Sequence, residues 1–379
     1  MNATRRVTIL QHRLLQYRLS LFNRLRDRCA ESGIELRLVH GQPSAHEAVR
    51  KDTGHLLWAD EVKNRFLRVS GVDLIWQPLP SHLLQSDLLI LMQENRILSN
   101  NPLLLRRRFG GPKVAYWGHG KNFQSRHSTG LREWWKSKLI NKVDWWFAYT
   151  DLSKDIIKQA GFPIDQITVL NNAIDNDEFK QDLASVSEAE LSVLRGRLDL
   201  QEGAHLGLFC GSMYPDKRID FLLEAANRIH DILPGFRLAL IGDGPEAPRL
   251  QTLLEGRPWA HWLGQQRGRE KATAFHLASV ILNPGLVGLH VLDGFCAGLP
   301  MFTTEDAAHS PEIAYLKSGI NGFILPHDVA YYANEILNFL DSKSMQMEFK
   351  KECFLASEHY TIQNMVENFH SGIMHALNL

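Results

Sequence analysis

The chain alternates short apolar runs with longer stretches of helical periodicity. Such runs are typical of strands buried on both faces of a parallel sheet, and their alternation with helices predicts a doubly wound α/β domain. Between the first two runs, Leu19–Ala30 has apolar residues at helical spacing. The runs of the first half are Val7–Leu10, Leu36–Val39, Leu88–Met92, Val114–Trp117, Trp145–Tyr149 and Ile167–Leu170.

The same alternation restarts near residue 206 and predicts a second α/β unit,. Its predicted strands are Leu206–Cys210, Phe236–Ile241, His261–Leu263, Val280–Asn283 and Met301–Thr303. Its predicted helices are Phe221–Ile232, Ala247–Leu254, Lys271–Leu277 and Leu289–Ala297.

The two halves predict two Rossmann-like domains with parallel sheets facing across a cleft. We assign residues 1–178 to the first domain and 179–355 to the second, with the junction near the polar segment Asp177–Glu202. Residues 356–379 are expected to form a helix that crosses back to the first domain, with a break around Glu358–Ile362. Ligands bind at the carboxyl ends of strands in such sheets.

Composition excludes several classes of function. Lys and Arg together number 42, as do Asp and Glu, so no basic excess points to nucleic acid,. The four cysteines form no CxxC pair, which argues against a zinc site or a disulfide framework,. The stretch Val7–Leu10 is too short for a secretory signal, and no apolar run is long enough to span a bilayer, so we expect a cytoplasmic protein,.

The first candidate segment is Gly211–Arg218, directly after a predicted strand. A glycine at a strand end lets a ligand approach the backbone, and Lys217 and Arg218 place two cations where a diphosphate can bind,. A surface turn with solvated charges explains the same residues, so this segment alone leaves both interpretations open.

The second segment, Leu240–Glu246, contains Gly242-Asp243-Gly244 where a strand gives way to a helix. Glycines at such a turn place backbone N–H groups near an anion or a nucleoside. Turn chemistry alone accounts for the glycines equally well.

The third and most informative segment is Asn283–Pro300. Its pattern predicts a strand end, a glycine-containing loop and a helix that begins at Gly288 or Leu289. The N–H groups of a first helical turn are unpaired and carry the positive end of the helix dipole. This pattern predicts a diphosphate-binding site. Asp293 is a candidate acceptor for ribose hydroxyls. A core αβ unit with capping glycines is the alternative.

Together these segments resemble the donor domain of the retaining family 4 glycosyltransferases (glycosyl transferases group 1), which have the GT-B fold. Gly211…Lys217 is similar to the family's Gly-Arg…Pro-Glu-Lys-Gly, and Ile241–Glu246 to its Val-Gly-Asp-Gly-Pro-Glu. Trp262–Gly264 is similar to the family's Phe-Leu-Gly, and Asp293–Pro300 is similar to its Glu-Ala-Met-Ala-x-Gly-x-Pro. Ser310–Ile313 and Gly319–Phe323 match the two parts of its Pro-Glu-Ile…Asn-Gly signature.

The resemblance implies a hexosyl-type transferase that moves a sugar from a UDP- or GDP-sugar to a glycan or lipid-linked oligosaccharide, with retention, in bacterial cell-surface polysaccharide or lipopolysaccharide synthesis. It implies no metal and no cofactor besides the nucleotide sugar. The implied catalytic residues are His119, Lys217 and Asp293. The implied donor-binding residues are Gly211, Ser212, Lys217, Arg218, Gly242, Gly264, Gln265, Gly285, Val287, Gly288, Leu289 and Asp293.

The chain departs from the family at two positions. The family's paired glutamates fall on Gly285 and Asp293, so the carboxylate that helps hold the transferred sugar is missing at Gly285. The phosphate-binding arginine falls on Ser212, and Arg218 is the candidate replacement for its charge. Candidate replacements for the sugar contact are Glu305, Asp306 and the N–H groups of Val287–Leu289.

The first half resembles the family less. His119 follows a predicted strand and matches the family's active-site histidine, which implies a hydrogen bond to the donor sugar or phosphate,. The alternative is a loop histidine whose hydrogen bond serves only the structure. The candidate acceptor-binding residues follow two other predicted strands: His12, Arg13, Tyr17, Arg18 and Glu94.

Tryptophans and lysines are interleaved in Leu131–Lys142, and Arg106–Arg108 is a run of three arginines. This composition suits peripheral contact with the inner face of a membrane, although a solvated helix with two core tryptophans explains it too. Two other functions stay open: a sugar-nucleotide epimerase, and a non-catalytic sugar-nucleotide-binding subunit, which the glycine at 285 favours.

Overall fold

The computed structural model describes residues 4–49, 52–120 and 141–378. They divide into two compact units, Met1–Asp175 with Thr361–Leu379, and Asn176–Tyr360. The chain therefore passes from the first unit to the second between Asp175 and Asn176, and it returns to the first unit at Thr361.

The strands that the structure describes are numbered β1 to β15 in chain order. They are β1 Arg5–Gln11, β2 Ile34–Gly41, β3 Asp60–Val62, β4 Arg65–Val69, β5 Val72–Trp76, β6 Leu88–Met92, β7 Lys113–Gly118, β8 Trp145–Ala148, β9 Ile167–Val169, β10 Leu206–Cys210, β11 Arg237–Ile241, β12 Ala260–Gly264, β13 Val280–Leu282, β14 Met301–Thr304 and β15 Gly322–Leu325.

The α-helices of the described segments are numbered α1 to α13. They are α1 Leu19–Glu31, α2 Ala45–Ala48, α3 Asn100–Arg107, α4 Asp151–Gln159, α5 Asp177–Ser185, α6 Glu188–Arg197, α7 Ile219–Ile232, α8 Ala247–Leu254, α9 Gly268–Leu277, α10 Val291–Ala297, α11 Val329–Asp341, α12 Lys343–His359 and α13 Ile362–Leu377.

The first unit is built on a seven-stranded parallel sheet in the order β3-β2-β1-β6-β7-β8-β9. The runs that predict strands in the sequence supply six of these strands; five are largely buried, and the edge strand β9 is half-buried. Val7, Leu89 and Val114 are fully buried. The edge strand β3 and the antiparallel hairpin β4–β5 escape sequence prediction because they mix charged with apolar residues.

Helix α13 completes the first unit. The Phe369 ring stacks on Phe147 of β8 at 4.6 Å between centroids and meets Trp117 edge-on at 5.0 Å. A Cβ on Gly372 would lie 2.6 Å from the Phe147 ring and from the Thr168 hydroxyl, so the helix backbone lies directly on strands β8 and β9. The predicted break in the C-terminal helical region falls between α12 and α13.

The second unit has a six-stranded parallel sheet in the order β12-β11-β10-β13-β14-β15. Strand β15 is absent from the sequence expectation, because Gly322–Leu325 is short and lies between glycines and prolines. The segment Asp177–Glu202, near which the sequence analysis places the domain junction, forms helices α5 and α6, which pack against α9. Ser187 and Glu190 form a capping box at the start of α6,.

Each sheet has one switch point, where consecutive crossovers leave to opposite sides. It lies between β1 and β6 in the first unit and between β10 and β13 in the second. Because the connections that follow the two central strands leave toward opposite faces of the sheet, a crevice opens at the carboxyl ends of these strands.

One sequence interpretation falls largely outside the described residues, because residues 131–140 of the tryptophan- and lysine-rich stretch are not among them. Among the helices that the structure does describe, none combines the length and the hydrophobicity that a bilayer crossing requires.

We predict that Gly372→Ala destabilises the first unit by about 1–3 kcal/mol, because the new methyl group overpacks the contact with Phe147 and Thr168,. The control is Gly196→Ala in α6, where a Cβ meets no atom within 4 Å. There the loss of a helical glycine should stabilise by about 0.5–1 kcal/mol. Urea unfolding measures both; equal free energies of unfolding would contradict the packing of α13.

Candidate functional site

The candidate site of the second unit lies at its switch point. Gly211 follows β10, and the loop Asn283–His290 follows the neighbouring strand β13. Both segments therefore emerge at the same sheet edge, where open α/β sheets bind ligands.

The two segments touch through their backbones. A Cβ on Gly285 would lie 2.1 Å from the Asp216 carbonyl oxygen and 2.5 Å from the Lys217 Cα. The Leu286 N–H donates to the Asp216 carbonyl at 3.0 Å. Glycine is thus required at 285 for a steric reason, and the carboxylate that the family carries there has no room.

The carbonyl oxygens of the loop after β13 point into the protein. Thr304 Oγ1 donates to the Pro284 carbonyl at 2.5 Å, Thr303 Oγ1 to the Gly285 carbonyl at 3.2 Å, and Asn283 Nδ2 to the Leu286 carbonyl at 3.1 Å. The N–H groups of residues 288–290 donate no hydrogen bond to any described residue. Helix α10 begins only at Val291, later than the sequence predicts.

Lys217 holds a buried charge at this edge. Its residue is 6% exposed, and its Nζ donates to the Leu286 carbonyl. No carboxylate among the described residues pairs with it. Burial lowers the pKa of Lys217 to about 8, so the ammonium form still predominates at neutral pH. A buried ammonium without a counter-ion favours the binding of an anion.

Asp293 is buried in the first turn of α10 and pairs with Lys271 of α9. The Lys271 Nζ lies 2.8 Å from Asp293 Oδ2 and 4.5 Å from the centre of the Phe179 ring. Burial by itself would lower the pKa of Lys271, but the Asp293 carboxylate is the main opposing cause and the net shift is upward. Asp293 Oδ1 accepts no hydrogen bond from the described residues. One carboxylate oxygen thus remains for a ligand.

Two histidines that the sequence analysis does not single out border the loop. His309 Nε2 donates to the Thr304 carbonyl at 2.7 Å, and its Nδ1 accepts from the Val287 N–H at 3.1 Å. This geometry fixes the neutral tautomer, and burial, with nearby cations, lowers the pKa of His309. The Nε2 of His290 is buried and has no hydrogen-bond partner among the described residues.

Arg218 is committed to another partner. Its guanidinium forms an ion pair with Asp306 and donates to Thr304 Oγ1 at 2.8 Å. Its charge is therefore already compensated, unlike that of Lys217. The sequence also offers Asp306 and Glu305 as candidates for the sugar contact. Asp306 is already paired with Arg218, whereas Glu305 is exposed.

The glycine turn after β11 packs against protein backbone. A Cβ on Gly242 would lie 1.9 Å from the Gly211 carbonyl oxygen. The Gly242 N–H donates to the Gly264 carbonyl at 2.9 Å, so the ends of β10, β11 and β12 are joined edge to edge. Gly242 thus shapes the rim of the site. Ser212 and Gln265 are exposed at this rim, whereas the side chain of Val287, in the loop after β13, is buried.

The candidate residues of the first unit meet at its own switch point. His12 Nε2 lies 3.1 Å from Glu47 Oε1, and Arg96 bridges Glu47 at 2.9 Å and Glu94 at 2.6 Å. Burial would raise the pKa of Glu47, but hydrogen bonds from His12, Ser44 and Arg96 hold it well below its usual range. The sequence analysis does not find Glu47, since it lies outside the strand-end segments.

Arg13 extends this network through a pair with Asp52 at 2.6 Å. A cavity of about 150 Å³ adjoins the network on the side of β6 and α3. Its lining is polar and carries a single carboxylate: Gln93, Glu94, Asn95, Ile97, Asn100, Asn101 and Tyr116.

Arg18 and His119 belong to a second, aromatic cluster. The Arg18 guanidinium lies 4.4 Å from the Trp117 ring centre and donates to the Tyr149 hydroxyl at 3.3 Å. The His119 ring meets Tyr149 edge-on at 4.3 Å. Burial, followed by the charge of Arg18, lowers the pKa of His119 to about 4, so its imidazole is neutral at pH 7. Tyr17 lies at the rim, 39% exposed.

Searches among known proteins find similar chains. The sulfoquinovosyl transferase SQD2 of Arabidopsis thaliana is 25% identical over 213 residues, which cover 55% of this chain and 40% of that protein. A GDP-mannose-dependent alpha-mannosyltransferase of Corynebacterium glutamicum is 25% identical over 319 residues, covering 76% of this chain and 71% of that protein. This chain thus spans less than half of the first relative and more than two thirds of the second.

Solved structures establish the fold. Alr3699/HepE of Anabaena, in complex with UDP, aligns with a TM-score of 0.68 at 14% identity, over 98% of this chain and all of that one. WaaG, a glycosyltransferase involved in lipopolysaccharide biosynthesis, aligns with a TM-score of 0.60 at 13% identity, over 96% and 98% of the two chains. The chain, with two α/β units that each contain a parallel sheet, has the GT-B fold, which confirms the fold class predicted from the sequence.

We predict that Gly285→Ala separates the two strand-end segments. Its methyl group would meet backbone atoms of Asp216 and Lys217, which yield only if the loop moves, at a cost of about 1–3 kcal/mol,. Gly288→Ala is the matched control, because its nearest neighbour, Ser310 Oγ, would be 3.7 Å away. Thermal unfolding and calorimetric binding of inorganic pyrophosphate measure both. An unchanged melting temperature and affinity in Gly285→Ala would contradict the contact.

One further comparison covers the second unit. The sequence model of the family described as "Glycosyl transferases group 1" matches residues 204–342, which run from the approach to β10 to the start of α12. This span includes Gly211, Lys217, the loop after β13 and Asp293. The group 1 assignment that the strand-end motifs predict is thereby confirmed: the second unit of this GT-B chain contains a glycosyl transferases group 1 domain over residues 204–342.

Proposed function

We propose that this protein is a glycosyltransferase that moves a hexosyl group from a nucleotide diphosphate sugar, held by the second unit, to a glycan or lipid-linked acceptor, held by the first. The observation that carries the proposal is Lys217, a buried ammonium at the switch point of the donor-type domain for which the described residues supply no counter-ion. A diphosphate supplies the missing negative charge.

The rest of the loop suits the other parts of such a donor. The N–H groups of residues 288–290 donate no bond to the described residues and can bind phosphate oxygens,. Asp293 Oδ1 can accept from a ribose hydroxyl while Lys271 holds Oδ2. Similar proteins support this class of donor, since the alpha-mannosyltransferase of Corynebacterium glutamicum depends on GDP-mannose and Alr3699/HepE was solved with UDP.

The proposed reaction breaks the bond between the anomeric carbon and the diphosphate oxygen. The electron pair goes to that oxygen, where Lys217 and the loop N–H groups stabilise the developing charge. The acceptor hydroxyl forms the new bond to the anomeric carbon and gives its proton to the departing diphosphate. We propose that the acceptor hydroxyl attacks from the same face that the diphosphate leaves, so that transfer proceeds with retention. The alpha-mannosyltransferase relative supports this, because an alpha product from an alpha-linked donor keeps the configuration. NMR of the anomeric proton in the product tests it.

We propose that the acceptor is rich in hydroxyl groups. The polar cavity beside Glu94 offers amide and carboxylate groups that pair with hydroxyls,. Two cations of the adjoining network, Arg13 and Arg96, are already in ion pairs. His119, neutral at pH 7, can accept or donate one hydrogen bond to the reacting sugars. The involvement of the similar protein WaaG in lipopolysaccharide biosynthesis supports a place in cell-surface glycan synthesis.

We further propose that the enzyme works in the cytoplasm at the inner face of the membrane. Support comes from Arg106–Arg108 and two exposed apolar side chains beside them, Leu105 at 57% and Phe109 at 81%. Co-sedimentation with vesicles of phosphatidylglycerol tests this contact, and equal recovery with phosphatidylcholine vesicles would contradict its electrostatic part.

A non-catalytic nucleotide-sugar-binding subunit is the second candidate. The observation in its favour is Gly285, where no side chain can hold the transferred sugar. Calorimetry with UDP- and GDP-sugars followed by a turnover assay separates the two functions. Donor binding without transfer or hydrolysis, across a broad acceptor panel, would favour the subunit.

We predict that Lys217→Met lowers transfer by about 10²-fold or more, because the leaving diphosphate loses its buried cation. The melting temperature should not fall, since the variant removes an uncompensated buried charge. Turnover and thermal unfolding measure the two effects. Wild-type activity in this variant would overturn the assignment of the donor site.

The same lysine predicts a pH dependence. Since the pKa of Lys217 is about 8 without ligand, the ammonium is present below that pH and is lost above it. Donor affinity should therefore fall as pH rises from 7 to 9. Calorimetric titration at each pH measures this, and Lys217→Met should lose the pH dependence. A wild-type affinity that is constant over this range would contradict the role of the ammonium.

We predict that His119→Phe, which keeps a ring beside Tyr149 but removes its polar atoms, lowers kcat by at least about tenfold,. The affinity for UDP should change little if the nucleotide is held by the second unit alone. Steady-state kinetics and calorimetry with UDP measure this split. Unchanged turnover would favour the purely structural interpretation of this histidine.

A further inference from the structure

His290 is a polar group that the proposed donor site leaves unexplained. It stands at the end of the loop after β13, directly before α10, with helical backbone angles. Its Nε2 atom is buried and makes no hydrogen bond within the described parts of the chain. A buried polar atom without a partner is costly, so a persistent one indicates a ligand atom that completes it.

The charges around His290 come from several elements. Lys217 follows β10, Lys271 lies on α9 and His309 follows β14; all three disfavour an added proton on His290. Asp293 is on the same helix as His290, but its carboxylate is already paired with Lys271. Burial and these cations together hold the pKa of His290 well below its ordinary value, so the imidazole is neutral in the free protein.

His309 does not compete for the same role. Both of its ring nitrogens are occupied, one by the Thr304 carbonyl and the other by the Val287 N–H. Protonation of His309 would break the contact with Val287. His290 is therefore the histidine of this site that has a nitrogen available to a ligand.

We propose that His290 contacts the diphosphate of the bound nucleotide and takes up a proton from solvent as the nucleotide binds. The inference rests on the proposed function, because it needs a diphosphate between Lys217 and the loop. The anion compensates the field of the two lysines that keeps the imidazole neutral. The resulting imidazolium donates from Nε2 to a phosphate oxygen in a charge-assisted hydrogen bond.

The experiment measures proton uptake on donor binding. UDP-glucose and GDP-mannose are the probes, because a diphosphate esterified at both ends does not titrate near neutral pH. Calorimetry at pH 6 in two buffers of different ionisation enthalpy gives the number of protons taken up for each bound nucleotide. At this pH Lys217 is already fully protonated and contributes nothing.

Three variants separate the outcomes. His290→Gln can keep a hydrogen bond but cannot be protonated, so it should bind the donor without proton uptake. His290→Ala should bind about tenfold more weakly or worse, as expected for the loss of a hydrogen bond to a charged group. His276→Gln, the same change at an exposed histidine of α9, should behave as the wild type.

Proton uptake by His290→Gln equal to that of the wild type, or wild-type affinity in His290→Ala, would overturn the role of His290 and leave the donor site intact. Failure of the folded wild type to bind either nucleotide sugar would instead overturn the proposed function, and the role of His290 with it. If His290→Ala does not fold, the proton uptake of the wild type compared with that of His290→Gln still decides whether His290 is the group that is protonated.

Discussion

The donor-type site depends on one close backbone contact, that of Gly285 with Asp216 and Lys217. The contact brings the ends of β10 and β13 together so tightly that no side chain fits at 285. It places the Leu286 carbonyl within reach of the Lys217 ammonium. With the carbonyls of the loop held inward by Asn283, Thr303 and Thr304, the N–H groups that follow are left for a ligand. The geometry of the loop thus follows from the absence of one Cβ.

The two switch points differ in how their charges are compensated. In the first unit Arg13 pairs with Asp52, and Arg96 pairs with Glu47 and Glu94, so both cations of this site are compensated. In the second unit Lys271 is paired with Asp293, but Lys217 has no carboxylate partner among the described residues. This difference suits an anionic ligand in the second unit and a neutral, hydroxyl-rich one in the first.

Residues beyond the recognised motifs tune the donor-type site. Lys271 converts Asp293 from a carboxylate with two available oxygens into one with a single available oxygen. His309 fixes the position of Val287 through a neutral imidazole, and Arg218 is bound to Asp306 instead of adding a second uncompensated cation. Each of these effects depends on a partner that is distant in sequence, and each changes the charge or the direction of a residue that the motifs contain.

The sequence by itself determined the two α/β units and the segments that carry the donor-type chemistry. Apolar runs buried on both faces identify central strands such as Leu88–Met92, and strand-end glycines with Lys217 and Asp293 identify the family of the second unit. It could not reveal the hairpin β4–β5, whose alternation mixes charged and apolar residues. Only the tertiary structure decided which charges are paired. Ion pairs and buried contacts join residues such as Arg218 with Asp306, and Gly285 with Asp216, whose proximity arises only when the parallel strands align.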